Sequence, residues 1–75
     1  MKTVEKEMIT VEFGQFIREA REGKGMLQAI VAEQLGVSRS YYTMIENGQR
    51  DIYFSLAINI CRVLDLNIND FMKQL

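Results

Sequence analysis

The side chains best suited to chemistry lie in the segment GVSRSYYTMIENG, residues 36–48. The guanidinium of Arg39 can bond a planar acceptor through two parallel N–H groups. The hydroxyl groups of Ser40 and Thr43 can donate and accept hydrogen bonds. Such a hydroxyl becomes a nucleophile only beside a general base, and the chain has no histidine. The segment therefore indicates directional recognition of another molecule.

The composition excludes several classes of site. With no histidine and one cysteine, Cys61, a single chain cannot build a structural zinc site or a histidine-based catalytic triad. An internal disulfide is also excluded, which is typical of a reducing cytoplasm. We predict a cytoplasmic protein that is not an enzyme and uses no cofactor or metal, with Cys61 in the core.

Length and charge set further bounds. The 75 residues allow one domain with little room for a deep pocket, so no small-molecule ligand is predicted. No apolar run approaches the roughly 20 residues of a membrane span. The first residues lack the apolar segment of a secretory signal. The net charge is −1, and this absence of a basic excess argues mildly against nucleic acid.

The spacing of apolar residues is helical throughout, and proline is absent. Residues 1–9 show no clear period and are predicted to be a flexible segment, whereas residues 10–75 form a single domain. The pattern predicts helices over residues 11–22, capped by Thr10, over 27–35 and over 52–64, a helix between Ser38 and Gly48, and a last helix capped by Asn67.

Each predicted helix has an apolar face. In the first and fourth helices the inward residues are Phe13, Phe16, Ile17 and Ala20, and Phe54, Ala57, Ile58, Cys61 and Leu64. In the last helix, Phe71 and Leu75 lie on one side. They either close the monomer core or form a dimer seam.

The second and third helices form the informative unit. Two helices that cross at a steep angle over a short turn need a glycine in that turn, here Gly36, and a small residue where they approach, here Ala32. In the third helix the period divides two sets of residues. Val37, Tyr42 and Ile45 face inward, while Arg39, Ser40, Thr43, Met44 and Asn47 face outward and Tyr41 lies at the edge.

The segment LQAIVAEQLGVSRSYYTMIENGQR resembles the helix-turn-helix of the phage Cro/repressor family, also called XRE-type regulators. The match continues in REGKG before it and LDLNINDF after it, and covers roughly residues 13–71. The resemblance implies an all-α fold, a compact five-helix lambda-repressor-like DNA-binding domain with the motif at helices 2 and 3. It also implies homodimers on palindromic double-stranded DNA, with half-sites about 34 Å apart.

The resemblance also implies roles for single residues. It implies that Gln28, Asn47 and Arg50 face the DNA backbone and that Arg21 pairs with Glu46. By their chemistry, Ser38 can add a phosphate contact to its capping role, and the ring of Tyr41 can rest on the protein while its hydroxyl reaches a phosphate. The predicted base-reading residues are Arg39, Ser40, Thr43 and Met44, of which Met44 is the least specific.

Five positions depart from the family pattern: Leu27, Ala29, Ile30, Tyr42 and Ile52. Leu27 stands where the family has a Ser or Thr cap, and Ile30 replaces a glutamate. Ile52 occupies the usual proline position, so Asp51 is expected to cap the fourth helix. Leu27 and Ile30 either form an exposed apolar spot or are covered by Val4, Met8 or Ile9.

These features predict a sequence-specific regulator of transcription, a repressor, that reads the major groove with its third helix. The proposed DNA face keeps Arg39 and Arg50 with Lys24 nearby, and its nearest acid is Glu33. We therefore expect modest non-specific affinity and a shallow dependence on salt. The alternative is a protein-interaction module of the same fold, such as the antitoxin of a toxin–antitoxin pair, with Leu27 and Ile30 as the contact surface.

Overall fold

The computed structural model describes the backbone of residues 3–75 and the side chains from Thr10 onward. This part of the chain is all-α, as predicted, and contains no strand. The five helices are α1 (Thr3–Gly23), α2 (Gln28–Leu35), α3 (Arg39–Glu46), α4 (Phe54–Val63) and α5 (Ile68–Met72).

Helix α1 begins at Thr3, well before the predicted start at residue 11. The expected cap at Thr10 is therefore wrong, because Thr10 lies inside the helix. Its hydroxyl instead donates a hydrogen bond to Oδ1 of Asp51 at 3.3 Å. The flexibility of residues 1–9 stays a prediction, and residues 1 and 2 lie outside the described residues.

The turn between α2 and α3 has the predicted local chemistry. Gly36 ends α2 in the left-handed region at φ 77°, where a side chain would be strained. The Ser38 hydroxyl then accepts the backbone N–H of Tyr41 at 3.0 Å and so caps α3. Leu27 precedes α2 without a side-chain cap, as its apolar side chain requires.

Helix α4 corrects two predictions, and helix α5 agrees with one. Tyr53 is the N-cap of α4, so Asp51 does not have that role. Helix α4 starts two residues later than expected, and its first residue, Phe54, is 73% exposed, not buried. In α5 the predicted cap is present, since the Asn67 side chain accepts the N–H of Asn69 at 2.9 Å.

The core joins α1, the helix pair α2–α3, and the last two helices. Its largest fully buried side chains are Tyr42, Ile17, Ile45, Ile60, Leu64 and Val31. Cys61 is buried, and burial raises the pKa of its thiol. Phe71 packs its ring edge against Phe13 at 5.2 Å between centroids, whereas Leu75 is exposed. Phe71 therefore closes the monomer core.

Helix α1 crosses the end of α3 at Gly14. A Cβ atom at this position would lie 2.5 Å from the carbonyl oxygens of both Ile45 and Glu46. Only glycine permits this approach without a shift of one backbone. This contact sets the distance between α1 and α3. In the part of the chain that the structure describes, no helix is long and apolar enough to cross a membrane.

Candidate nucleic-acid interface

Helix α3 separates its residues into two faces. Tyr42, Ile45 and Glu46 are buried on its inner side. The outer side exposes the predicted reading and flanking residues Arg39, Ser40, Met44 and Asn47. Thr43 is half-buried, between the two faces. Since the inner face is fixed in the core, the outer face is presented to solvent on a rigid element.

The inner face of α3 is held by a buried ion pair between Arg21 and Glu46. Nε of Arg21 donates to Oε2 of Glu46 at 2.6 Å, and a second guanidinium nitrogen donates to Oε1 at 3.0 Å. The Arg21 guanidinium also donates to the carbonyl oxygen of Met26 at 2.8 Å. This bidentate geometry is the strong form of such a pair, and it joins α1, the α1–α2 turn and α3.

The environment keeps both partners charged. The hydrogen bond to Glu46 raises the pKa of Arg21 above its usual value, although burial opposes this. Burial by itself would raise the pKa of Glu46, but hydrogen bonds from its neighbours, Arg21 first among them, hold it below its usual value. Glu46 therefore acts as an acceptor-only carboxylate at neutral pH.

Gln28, at the start of α2, connects this carboxylate to α3. Its Nε2 donates to Oε1 of Glu46 at 2.9 Å. Its Oε1 accepts a hydrogen bond from the Thr43 hydroxyl at 3.0 Å. The structure thus brings Gln28 together with Thr43, and one N–H of the Gln28 amide remains for an outside partner.

A second cation, Arg18, supports the far end of α3. Its Nε lies 3.6 Å from Oε1 of Glu46, and its guanidinium donates to Oδ1 of Asn47, the C-cap of α3. The Asn47 amide nitrogen can then act as a donor to another group. Sequence reasoning missed Arg18, and its only signal is its place one helical turn before Arg21 on α1.

Tyr41 and Arg50 lie together at the edge of the outer face. The guanidinium carbon of Arg50 is 5.4 Å from the centroid of the Tyr41 ring, within the range of a cation–π contact. The ring of Tyr41 also packs against the core cluster and is half-buried. The adjacent Tyr42 is fully buried, and burial raises the pKa of its hydroxyl above the usual range. The two tyrosines therefore occupy different environments.

A family model described as a helix-turn-helix domain matches residues 14–74. The chain belongs to this family. The match contains helices α2 to α5 and the C-terminal part of α1 from residue 14, so the helix-turn-helix resemblance seen in the sequence is confirmed.

Similar proteins include regulators from several bacteria. The chain is 31% identical over 61 residues to an uncharacterized HTH-type transcriptional regulator, YqaE of Bacillus subtilis, in a match that covers 81% of this chain and 53% of that protein. The chain thus spans about half the length of this relative.

Two solved structures share the fold. The restriction–modification controller protein C.AhdI of Aeromonas hydrophila is 34% identical, with a TM-score of 0.76 over 83% of this chain and 94% of that one. The clp gene regulator ClgR of C. glutamicum is 25% identical, with a TM-score of 0.81 over 85% of this chain and 83% of that one.

In this helix-turn-helix domain, the starts of α2 and α3 border one shallow groove. Its lining consists of Arg21, Leu27, Gln28, Ala29 and Arg39. Leu27 is 68% exposed and Ile30 is 41% exposed, so the apolar spot expected from the sequence lies at the surface. The other possibility was that Val4, Met8 or Ile9 cover this apolar spot, and their side chains lie outside the described residues.

Proposed function

We propose that this helix-turn-helix domain is a sequence-specific, double-stranded DNA-binding regulator of transcription that reads the major groove with α3. The observation that carries the proposal is the division of α3, whose inner face is fixed by the buried Arg21–Glu46 pair while its outer face exposes hydrogen-bonding side chains. The major groove accepts an α-helix. The relatives described as transcriptional or gene regulators support the same conclusion.

The residues of the outer face suit the edges of base pairs. The Arg39 guanidinium can bond O6 and N7 of a guanine, and the Ser40 hydroxyl can serve any base. Both lie in the first turn of α3, the part of a recognition helix that contacts base edges. Met44 can place its apolar end against a thymine methyl group, and Thr43 completes the set.

Groups around this face suit the phosphate backbone. Asn47 and Arg50 follow the end of α3, and Tyr41 lies beside Arg50. Ser38 and Gln28 stand at the starts of α3 and α2. The remaining N–H of Gln28 is the group that we assign to a phosphate, because its other amide contacts are internal. Such contacts position the protein without reading sequence.

We further propose that the protein acts as a homodimer and a repressor on a palindromic operator, in the cytoplasm. A two-fold dimer would place two α3 helices on half-sites about 34 Å apart. Large apolar side chains remain exposed away from α3, at Tyr53, Phe54, Met72 and Leu75. They supply surface for such an interface.

Selection from random duplex DNA by the purified protein tests the proposal. We expect enrichment of a palindrome whose half-sites are separated by about one helical turn. The matched control is Arg62→Ala, because Arg62 is an exposed arginine on α4, outside the proposed face, with a side-chain hydrogen bond to Asn59. This variant should enrich the same palindrome. Failure of the wild-type protein to enrich any sequence would contradict the proposal.

A second candidate function is a protein-interaction module, such as an antitoxin, and the exposed pair Leu27 and Ile30 favours it. In that case the substitution of both residues by serine should abolish binding to a partner protein encoded beside it, measured by co-purification. A matched substitution at exposed Met72 should leave that binding intact. If the folded double variant still enriches a palindrome, DNA binding does not depend on Leu27 and Ile30.

A further inference from the structure

Hydrogen bonds link Glu46 to Gln28 and Gln28 to Thr43. They decide whether the Thr43 hydroxyl, at the edge of the outer face of α3, can donate or accept a further hydrogen bond. We propose that Thr43 contacts a base through the lone pairs of its hydroxyl oxygen and through its methyl group. In this contact it accepts a hydrogen bond and does not donate one. This inference rests on the proposed function, since it specifies how one residue of the same face discriminates among bases. The carboxylate of Glu46 decides this role, because it orients the amide of Gln28, and that amide in turn takes the hydrogen of the Thr43 hydroxyl.

The first step is the acceptor character of Glu46. Its side chain has no exposed area, and it lies 2.6 Å from the guanidinium of Arg21. An ionised carboxylate has only acceptor sites, so every neighbour within hydrogen-bond distance must present a hydrogen to it. Gln28 is such a neighbour, 2.9 Å from Oε1.

The second step is the orientation of the Gln28 amide. An amide can be turned so that either its nitrogen or its oxygen faces a given partner, and the surrounding network decides between the two. With the oxygen toward Glu46, two acceptors would face each other at hydrogen-bond distance in a buried site. The nitrogen therefore faces Glu46, and the oxygen of the same amide faces Thr43.

The third step is the single hydrogen of the Thr43 hydroxyl. Oγ1 lies 3.0 Å from Oε1 of Gln28, and an amide oxygen can only accept. The hydroxyl hydrogen is committed to this bond. What Thr43 has left for an outside partner is the lone-pair side of Oγ1 and its methyl group.

This remaining chemistry discriminates among bases in the major groove. Adenine presents an N6–H donor and cytosine an N4–H donor, either of which a lone pair can accept, and thymine presents a methyl group. Guanine presents only the acceptors N7 and O6. At the base that Thr43 contacts, we expect adenine, cytosine or thymine and the exclusion of guanine, with guanine bound roughly 5- to 150-fold more weakly.

Parallel selections from random duplex DNA test the inference with three variants. Thr43→Val keeps a methyl group and removes the oxygen, so the position read by Thr43 should shift toward thymine. Gln28→Ala frees the hydroxyl to rotate and donate, so guanine should become acceptable at that position. It should also weaken binding to all sequences evenly, through loss of the phosphate contact. Arg62→Ala is the control and should leave every position unchanged.

The side-chain amide signals of Gln28 in an NMR spectrum give a readout without DNA. In Thr43→Val they should shift, because the bond to Oε1 is lost, whereas in Arg62→Ala they should stay in place. Unchanged Gln28 signals in Thr43→Val would overturn the hydrogen-bond chain itself, even if Gln28→Ala failed to fold.

The outcomes separate this inference from the proposed function. If the wild-type protein enriches no sequence, the proposed function fails. If it enriches a palindrome but the position altered by Thr43→Val carries guanine on the strand whose base edge Thr43 contacts, the assigned polarity is wrong. A palindrome that Thr43→Val leaves unaltered at every position would also overturn the inference, as would a folded Gln28→Ala that still rejects guanine.

Discussion

Glu46 is the residue on which most of the internal polar contacts converge. Arg21 and Gln28 donate hydrogen bonds to its carboxylate, and the guanidinium of Arg18 lies 3.6 Å from it. Removing one partner of a buried ion pair lowers the free energy of unfolding by more than the intact pair contributes to it. The reason is that the remaining charged group then has neither water nor a counter-charge. The stability of the domain and the orientation of Gln28 both depend on this one side chain.

We predict that Glu46→Gln lowers the free energy of unfolding by about 3–5 kcal/mol at neutral pH, because it leaves Arg21 buried with a neutral neighbour. Thermal unfolding followed by circular dichroism measures this change. The control Glu33→Gln alters an exposed glutamate and should stay within about 0.5 kcal/mol of the wild type. A stable Glu46→Gln protein would show that the ion pair contributes little.

The same pair predicts a pH dependence. The pKa of Glu46 in the folded protein lies below its ordinary value of 4.5. The wild type therefore loses stability as the pH falls from 4.5 through the lower pKa of the folded protein. Above 4.5 the stabilisation is fully present. The difference in melting temperature between wild type and Glu46→Gln should therefore narrow in that acidic interval. A difference that stays constant would contradict the lowered pKa.

Arg39 is the residue to which we assign the strongest base contact. Arg39→Ala should relax the preference at one position of the selected site and weaken binding to it by about 1–3 kcal/mol. Fluorescence anisotropy with the selected duplex and its single-base variants measures both effects. Arg62→Ala should change neither, and retention of the full preference by Arg39→Ala would remove Arg39 from the base-reading set.

At the scale of elements, the contact between α1 and α3 decides where the outer face of α3 points. Gly14 brings the backbone of α1 against the carbonyl groups at the end of α3. Arg18 and Arg21 then reach Asn47 and Glu46 from the following turns of α1. The end of α3 is thus held by backbone contact and by charge from the same helix.

We predict that Gly14→Ala destabilises the domain by about 1–3 kcal/mol, because the added Cβ forces the two helices apart. Gly23→Ala is the matched control, since a Cβ at Gly23 meets nothing within 4 Å. It should be neutral or slightly stabilising. Chemical denaturation of both variants measures the difference, and equal stabilities would mean that the helices adjust without cost.

At the scale of the whole molecule, Phe71 in α5 and Leu75 after it lie in different environments. Phe71 is buried against the rings of Phe13 and Phe16. Leu75 is 62% exposed, so it adds little to the monomer and remains available to a partner. The two residues that the sequence placed on one side are therefore separated by the fold.

We predict that Leu75→Ser leaves the melting temperature of the monomer unchanged and weakens the proposed homodimer. Phe71→Ala should instead cost about 3–5 kcal/mol of monomer stability, because it opens a cavity in the core. Sedimentation equilibrium and thermal melts at low protein concentration separate the two effects. A dimer that Leu75→Ser leaves unaffected would place the interface elsewhere.

The sequence alone was enough to predict the features that depend on near neighbours in the chain. The caps at Ser38 and Asn67, the left-handed glycine at Gly36 and the two faces of α3 all follow from residues within about one helical turn. The same local rules misplaced the starts of α1 and α4. The predictions for Thr10, Asp51 and Phe54 were therefore wrong, and the start of α4 has no side-chain capping bond that would mark it in the sequence.

Only the tertiary structure decided how distant side chains share their hydrogen bonds. Thr43 and Gln28 are 15 residues apart, and Arg18 and Asn47 are 29 residues apart. No period in the chain specifies such pairs, because they depend on the angle and distance at which three helices pack. The segment of residues 36–48 carries the groups that we assign to recognition. The packed helices decide which of those groups donate, which accept, and which are already engaged inside the protein.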